Sequence, residues 1–235
     1  MQRLALIVAG GSGSRMGSEV PKQFLRLGDR PLLLHTLGRF LALDAALQLV
    51  LVLPSAHLSY WDKTAATTLP DADRARIRAV AGGDTRTQSV FAGLLALEAI
   101  APADAWVAIH DGVRPFVTPT LLRQAYDTAA TAGAAVACVP VKATLRYQRD
   151  DGSSETVDRS RYLEVQTPQV FRLDQIIDAY RCRPHDAFTD DAGLYEALGG
   201  TVMPCPGSYD NIKVTTPEDM DLAARLLQRF PPGQI

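Results

Sequence analysis

Two cations stand around a glycine-rich run near the start of the chain. Arg15 lies inside Gly10-Gly-Ser-Gly-Ser-Arg-Met-Gly17, and Lys22 follows in Pro21-Lys-Gln-Phe24. Glycine lets a backbone turn sharply and bring its N–H groups against phosphate oxygens. Two positive charges seven residues apart could then close on one anion, which suits a triphosphate. The spacing excludes two common phosphate cradles. Gly11, Gly13 and Gly17 read G-x-G-x-x-x-G rather than the dinucleotide pattern G-x-G-x-x-G, and no glycine runs into the lysine–hydroxyl pair of a P-loop. A flexible strand-to-helix loop with solvated cations would carry the same residues, so the loop needs support from elsewhere.

Other residues offer the same chemistry. Asp111-Gly-Val-Arg114-Pro115 pairs a carboxylate with a guanidinium, and Arg159, Thr167, Thr189 and Lys213 add donors suited to a phosphate. Taken singly, each reads equally as a surface charge or a helix cap; Thr189-Asp190 has the residue types that open helices. His110 reads as a packing residue at a strand end.

The elements that must position these groups follow a repeating pattern. Strand-like runs at Leu4–Ala9, Gln48–Leu53, Ile77–Ala81, Trp106–His110 and Ala134–Val139 alternate with helical apolar spacing over Leu32–Leu43, Thr87–Ile100 and Thr120–Ala132. This predicts an α/β fold, a Rossmann-like and mostly parallel sheet with helices on both faces. Ligands on such sheets bind beyond the carboxyl ends of the strands. Gly10–Gly17, Gly82–Asp84 and Asp111–Arg114 each directly follow a strand, so they are expected on one rim.

The pattern breaks over residues 142–166. There Thr144–Arg149, the turn Asp150–Ser153 and Glu155–Arg159 read as a polar β-hairpin with too little apolar content for a core of its own. It is expected to be an arm that packs on a second subunit. Helices over Leu173–Cys182 and Asp190–Leu198, a strand Thr201–Pro204 and a last helix opening at Pro217 complete the chain. No repeat or linker divides it, so residues 1–235 are expected to form a single domain.

Composition narrows the partners. A net charge of −2 gives no general field for a nucleic-acid backbone. No apolar run approaches the roughly 20 residues that span a bilayer, and the start lacks a signal-peptide pattern, so no membrane partner is expected. Cys138, Cys182 and Cys205 show neither metal-ligand spacing nor a disulfide framework, which fits a reducing, cytoplasmic setting. A nicotinamide-dependent oxidoreductase is disfavoured: the second strand ends in Pro54-Ser-Ala56 without the acid that holds a ribose.

Taken together, the segments resemble the 2-C-methyl-D-erythritol 4-phosphate cytidylyltransferases of the non-mevalonate isoprenoid pathway. The likeness runs through Ala9–Gly17, Pro21–Leu25, Gly82-Gly-Asp84 with Ser89-Val90, and His110–Pro115. It continues in the family's order through Thr156–Arg159, Gln166–Gln169, Thr189-Asp190 and Asp210–Thr215. The resemblance implies transfer of a cytidylyl group from CTP to the phosphate of methylerythritol phosphate, with Mg²⁺ and release of pyrophosphate. It implies that Arg15 and Lys22 stabilise charge on the α-phosphate and pyrophosphate, and that Lys213 and Arg159 orient the attacking phosphate. Arg159 would reach across from the partner of a homodimer. Ala9, Gly10, Gly11 and Gly13, with Gly83, Asp84 and Ser89, would hold the nucleotide, aided by Asp111 and Gly112. Asp111 would also bond the alcohol or ribose and lie near the metal, while Arg114, Thr144, Thr167 and Thr189 would line the sugar-phosphate pocket. One departure stands out: Ala143 precedes Thr144 where the family commonly has Asp, which weakens the support for Thr144. The chain ends soon after its last helix, so no fused second enzyme is expected. A ribitol-5-phosphate cytidylyltransferase is similar at the glycine loop and Pro21–Phe24, but the Thr156–Arg159 and Asp210–Thr215 segments favour methylerythritol phosphate.

Overall fold

The computed structural model describes residues 1–10, 20–182 and 188–230. Through the first half run β1 (Arg3–Val8), β2 (Arg26–Leu27), β3 (Arg30–Pro31), α1 (Leu32–Leu41), β4 (Gln48–Leu53), α2 (Leu58–Thr68), α3 (Asp71–Arg74), β5 (Ile77–Ala81), α4 (Arg86–Glu98) and β6 (Trp106–Asp111). The second half adds α5 (Pro119–Ala132), β7 (Ala134–Pro140), β8 (Arg146–Gln148), β9 (Ser154–Thr156), β10 (Leu163–Arg172), α6 (Leu173–Cys182), α7 (Asp191–Glu196), β11 (Met203–Pro206) and α8 (Pro217–Leu227).

Seven strands form the central sheet in the order β11-β7-β10-β6-β1-β4-β5. Strands β1, β4 and β7 are apolar on both faces over most of their length, as a sheet covered by helices on each side requires. Ala5 and Ile7 of β1 pack with α1, α2 and α5, while the alternate residues Leu4 and Leu6 pack with α4, α6 and α7. A smaller cluster seats α8 against Leu27, Leu32 and Phe116.

The register aligns the strand ends. Val8 lies opposite Asp111 on one side and Val52 on the other, and Leu53 lies opposite Ala81. Gly10, Gly82–Asp84 and Asp111–Arg114 therefore emerge along one rim, as their places after strands predict. After β1 the sheet grows outward through β4 and β5, then returns to add β6 on the other side of β1. That reversal opens the crevice in which such sheets bind ligands.

Besides the short β2, β3 and α3, two larger elements depart from the sequence expectation. Helix α2 fills the β4–β5 connection, where no helix is expected, and buries Trp61 and Ala65. More consequential is β10, which is antiparallel to both neighbours and sits between β6 and β7. Pro168 in a polar run argues against a central strand. The chain solves this with an irregularity between Val165 and Gln169, across which the register with β7 shifts. Such bulges re-aim side chains, and here the bulged residues Gln166 and Thr167 face the rim that carries Asp111. The last strand and α7 are slightly displaced from Thr201–Pro204 and Asp190–Leu198. Asp190 is the cap of α7, accepting from Gly193 N at 3.0 Å. The arm is the short β8–β9 ladder, with every residue of both strands exposed.

Candidate active site

Two adjoining clefts open at the rim. The first, about 400 Å³, is lined by Ala9, Gly10, Lys22, Gly83, Asp84, Ser89, Asp111 and Lys213, together with Gln23 and Arg86. The second, about 290 Å³, is lined by Asp111, Arg114, Gln166, Thr167, Gln169, Thr189 and Lys213, again with Arg86. Asp111, Lys213 and Arg86 thus belong to both.

The wall of the first cleft is largely main chain. Ser89 Oγ donates to Gly83 O at 3.2 Å. A Cβ on Gly82 would stand 2.6 Å from that hydroxyl and 3.0 Å from Val52, so only glycine lets β5 pass so close to α4. Thr85 and Gln88 form a capping box at the start of α4, and Gln88 Oε1 also accepts from Asp84 N at 2.8 Å. This satisfies end donors that would otherwise lack partners and fixes the Gly83–Thr85 turn. Across the cleft, buried Gln23 donates to Ala9 O at 3.1 Å, which ties the Lys22 turn to the end of β1. Gly112 lies beneath, where a Cβ would meet Ala9 Cβ at 2.9 Å.

Where the clefts meet, charge is concentrated. Asp111 Oδ2 takes Lys213 Nζ at 3.2 Å and Arg114 Nε at 2.9 Å. Burial alone would raise the Asp111 pKa, but these two cations more than offset it and hold the carboxyl at about 2. The group is therefore a fixed anion. Its main-chain N–H donates to Thr167 Oγ1 at 3.1 Å. Neighbouring His110 is fully buried, which lowers its pKa to about 4 against the pull of Asp111; it packs on Phe40 and bonds Arg114 O through Nε2 at 3.3 Å. A neutral, enclosed imidazole of this kind is a packing residue, as the sequence suggests.

Nothing in the sequence around Arg86 singles it out. Its guanidinium forms a two-bond pair with Asp191 at 2.9 and 2.6 Å. Asp191 is fully buried and also accepts from Tyr180. Gln169 Oε1 accepts from the Asp191 and Ala192 main-chain N–H groups, and its amide donates to Asp190. Thr189 and Asp190 at the start of α7 are thereby tied to the bulged strand. The capping-box residues flanking Arg86 are legible in the sequence, but its buried partner lies 105 residues away.

Thr144 and Arg159 line neither cleft. Thr144 is exposed near the arm's base, and Arg159 lies in a short turn where it donates to Lys142 O. Gly11, Gly13 and Arg15 lie outside the described residues.

A family model described as 2-C-methyl-D-erythritol 4-phosphate cytidylyltransferase matches residues 4–229. The enzyme of that name from Bacteroides thetaiotaomicron is 43% identical over 229 residues, covering 97% of this chain and 100% of its own. That from Porphyromonas gingivalis is 45% identical over 228 residues, covering 96% and 98%. Among solved structures, the 4-diphosphocytidyl-2C-methyl-D-erythritol synthase of Anaerococcus prevotii superposes with a TM-score of 0.83 at 29% identity, over 97% of this chain and 99% of that one. The Thermus thermophilus cytidylyltransferase gives 0.72 at 31% identity, over 95% and 98%.

Proposed function

The chain belongs to the 2-C-methyl-D-erythritol 4-phosphate cytidylyltransferase family, and from that premise we propose how its two clefts work together. It transfers the cytidylyl group of CTP to 2-C-methyl-D-erythritol 4-phosphate in isoprenoid precursor synthesis. The first cleft takes CTP and the second the acceptor. The observation that carries this reading is that both clefts share Asp111, Arg86 and Lys213.

In the reaction an oxygen of the acceptor's phosphate attacks the α-phosphorus of CTP. The new P–O bond forms as the bond to the bridging oxygen of the β-phosphate breaks, and pyrophosphate leaves with that electron pair. Both reactants are anions. Each pair of like unit charges ~4 Å apart costs about 4 kcal/mol at an effective dielectric constant near 20, so charge compensation is the main task. Lys22 and Arg15 serve the α-phosphate and the leaving pyrophosphate. Lys213 directs the attacking phosphate, and Asp111 keeps that ammonium aimed at the junction. Catalysis then rests on positioning and electrostatics, with no covalent enzyme intermediate. Main-chain groups near Ala9 and Gly83, with Ser89, are suited to telling cytosine's amino donor and ring acceptors from uracil.

Mg²⁺ fits this site as an ion held mainly by substrate. Asp111 Oδ1 makes no hydrogen bond to protein among the described residues, and those residues contain no group of three or more His, Cys, Asp and Glu suited to a metal. One carboxylate oxygen plus phosphate oxygens is a normal magnesium environment. Bound there, Mg²⁺ would neutralise charge on the triphosphate. We place the enzyme in the cytoplasm as a homodimer; among the described residues no helix is long and apolar enough to cross a membrane. The 142–166 arm is the proposed dimer contact. It would carry Arg159 and Thr144 to the partner's acceptor cleft.

The test is pyrophosphate release by purified enzyme with CTP and Mg²⁺. Rapid release with methylerythritol phosphate and little with ribitol 5-phosphate is expected. The reverse preference would overturn the acceptor assignment.

A further inference from the structure

The geometry points to Asn211 as a positioning residue that closes a ring of hydrogen bonds holding the acceptor side of the site. The inference rests on the reading of the second cleft as the acceptor pocket. Asn211 is fully buried. Its Nδ2 donates to Thr167 O at 2.8 Å and to Gln166 Oε1 at 3.2 Å. Because the Thr167 carbonyl can only accept, it fixes which end of the amide faces it. The main-chain carbonyl of Asn211 in turn accepts from Arg114 Nη1 at 2.8 Å.

These contacts complete a circuit. Asp111 N donates to Thr167 Oγ1, Asn211 donates to Thr167 O, Arg114 donates to Asn211 O, and Arg114 Nε returns to Asp111 Oδ2. Three separate chain segments, the end of β6, the bulge of β10 and the loop before α8, are locked to each other by it. Lys213 is two residues beyond Asn211, and Val214 N donates to Val113 O at 2.9 Å, so the intervening chain is fixed at both ends. The direction from which Lys213 approaches Asp111 is therefore set by the ring. Gln166 ties the same loop from behind through Ser208.

Asn211 touches no reacting atom in this arrangement. It acts through Arg114 and Lys213, and that distinguishes it from a residue that merely supports the fold. A double-mutant cycle reads the difference. Asn211→Ala should lower kcat with saturating CTP about 10- to 100-fold and raise KM for methylerythritol phosphate, with CTP affinity within threefold of wild type. Lys213→Ala should cost far less in the Asn211→Ala background than in wild type, since residues acting as a unit are not additive. If Asn211→Ala does not fold, Asn211→Ser, with a shorter donor, is carried through the same cycle. Losses that multiply fully, or a matching fall in CTP affinity, would overturn the inference while wild-type turnover stands. Absence of wild-type turnover would instead remove the reading of the cleft, and the inference with it.

Discussion

Lys213 and Asp111 meet at 3.2 Å, at the point where the two clefts join, although 102 positions separate them in the chain (213 − 111). The lysine is 44% exposed and its partner 11%. The ammonium is thus held from below by a fixed anion and open above to substrate. Asp111 keeps Arg114 if the lysine is lost, so the pair can be broken without stranding a buried charge.

Lys213→Ala should therefore separate activity from stability. A fall in kcat of about 10²–10³-fold is expected for loss of a directed charge, while unfolding free energy changes by no more than ~1 kcal/mol. Pyrophosphate release and urea denaturation on the same preparation check this. Near-normal turnover would contradict the role.

If Arg159 serves the partner's site, two inactive variants should rescue each other. A mixed dimer of Arg159→Ala and Lys213→Ala protomers contains one site with both residues intact and one with neither. After subunit exchange of equal amounts, activity should recover to roughly a quarter of wild type, as two-fold symmetry requires. No recovery despite demonstrated exchange would confine Arg159 to its own protomer.

Arg86→Met should destabilise the protein by about 3–5 kcal/mol, because it removes the cation paired with fully buried Asp191. Among the described residues, the Tyr180 hydroxyl and the surrounding dipoles alone would remain for that carboxylate. Denaturant midpoints measure the loss, and a change below 1 kcal/mol would mean that water reaches Asp191.

Acid should weaken the fold through His110. Burial holds its native pKa at about 4, below the usual 6.5. As pH falls below 6.5, the unfolded chain takes up this proton before the native state does, so stability is lost down to about pH 4 and then levels off. The group's share is roughly 3 kcal/mol. An NMR titration should find His110 neutral until about pH 4. Asp111, at about 2, titrates lower still. An acid limb near pH 6 in kcat/KM would then belong to the acceptor's phosphate, whose second pKa is about 6.

The sheet and its rim are legible in the chain alone. Apolar residues on successive positions of Leu4–Val8 and Leu49–Leu53 require helices on both faces, and glycines and charges placed directly after strands require loops at the carboxyl ends. These are local properties, readable wherever they occur. What those loops meet depends on how the folded sheet brings distant segments together. Leu163–Arg172 carries no strand signal, with Pro168 among polar neighbours, yet it becomes the strand between β6 and β7, with a bulge that accommodates the proline. Arg86 finds Asp191 across 105 residues, and Arg114 finds the Asn211 carbonyl across 97. Such pairings leave no periodicity in the chain, because their hydrogen bonds exist only once the sheet has brought distant strand ends to one level.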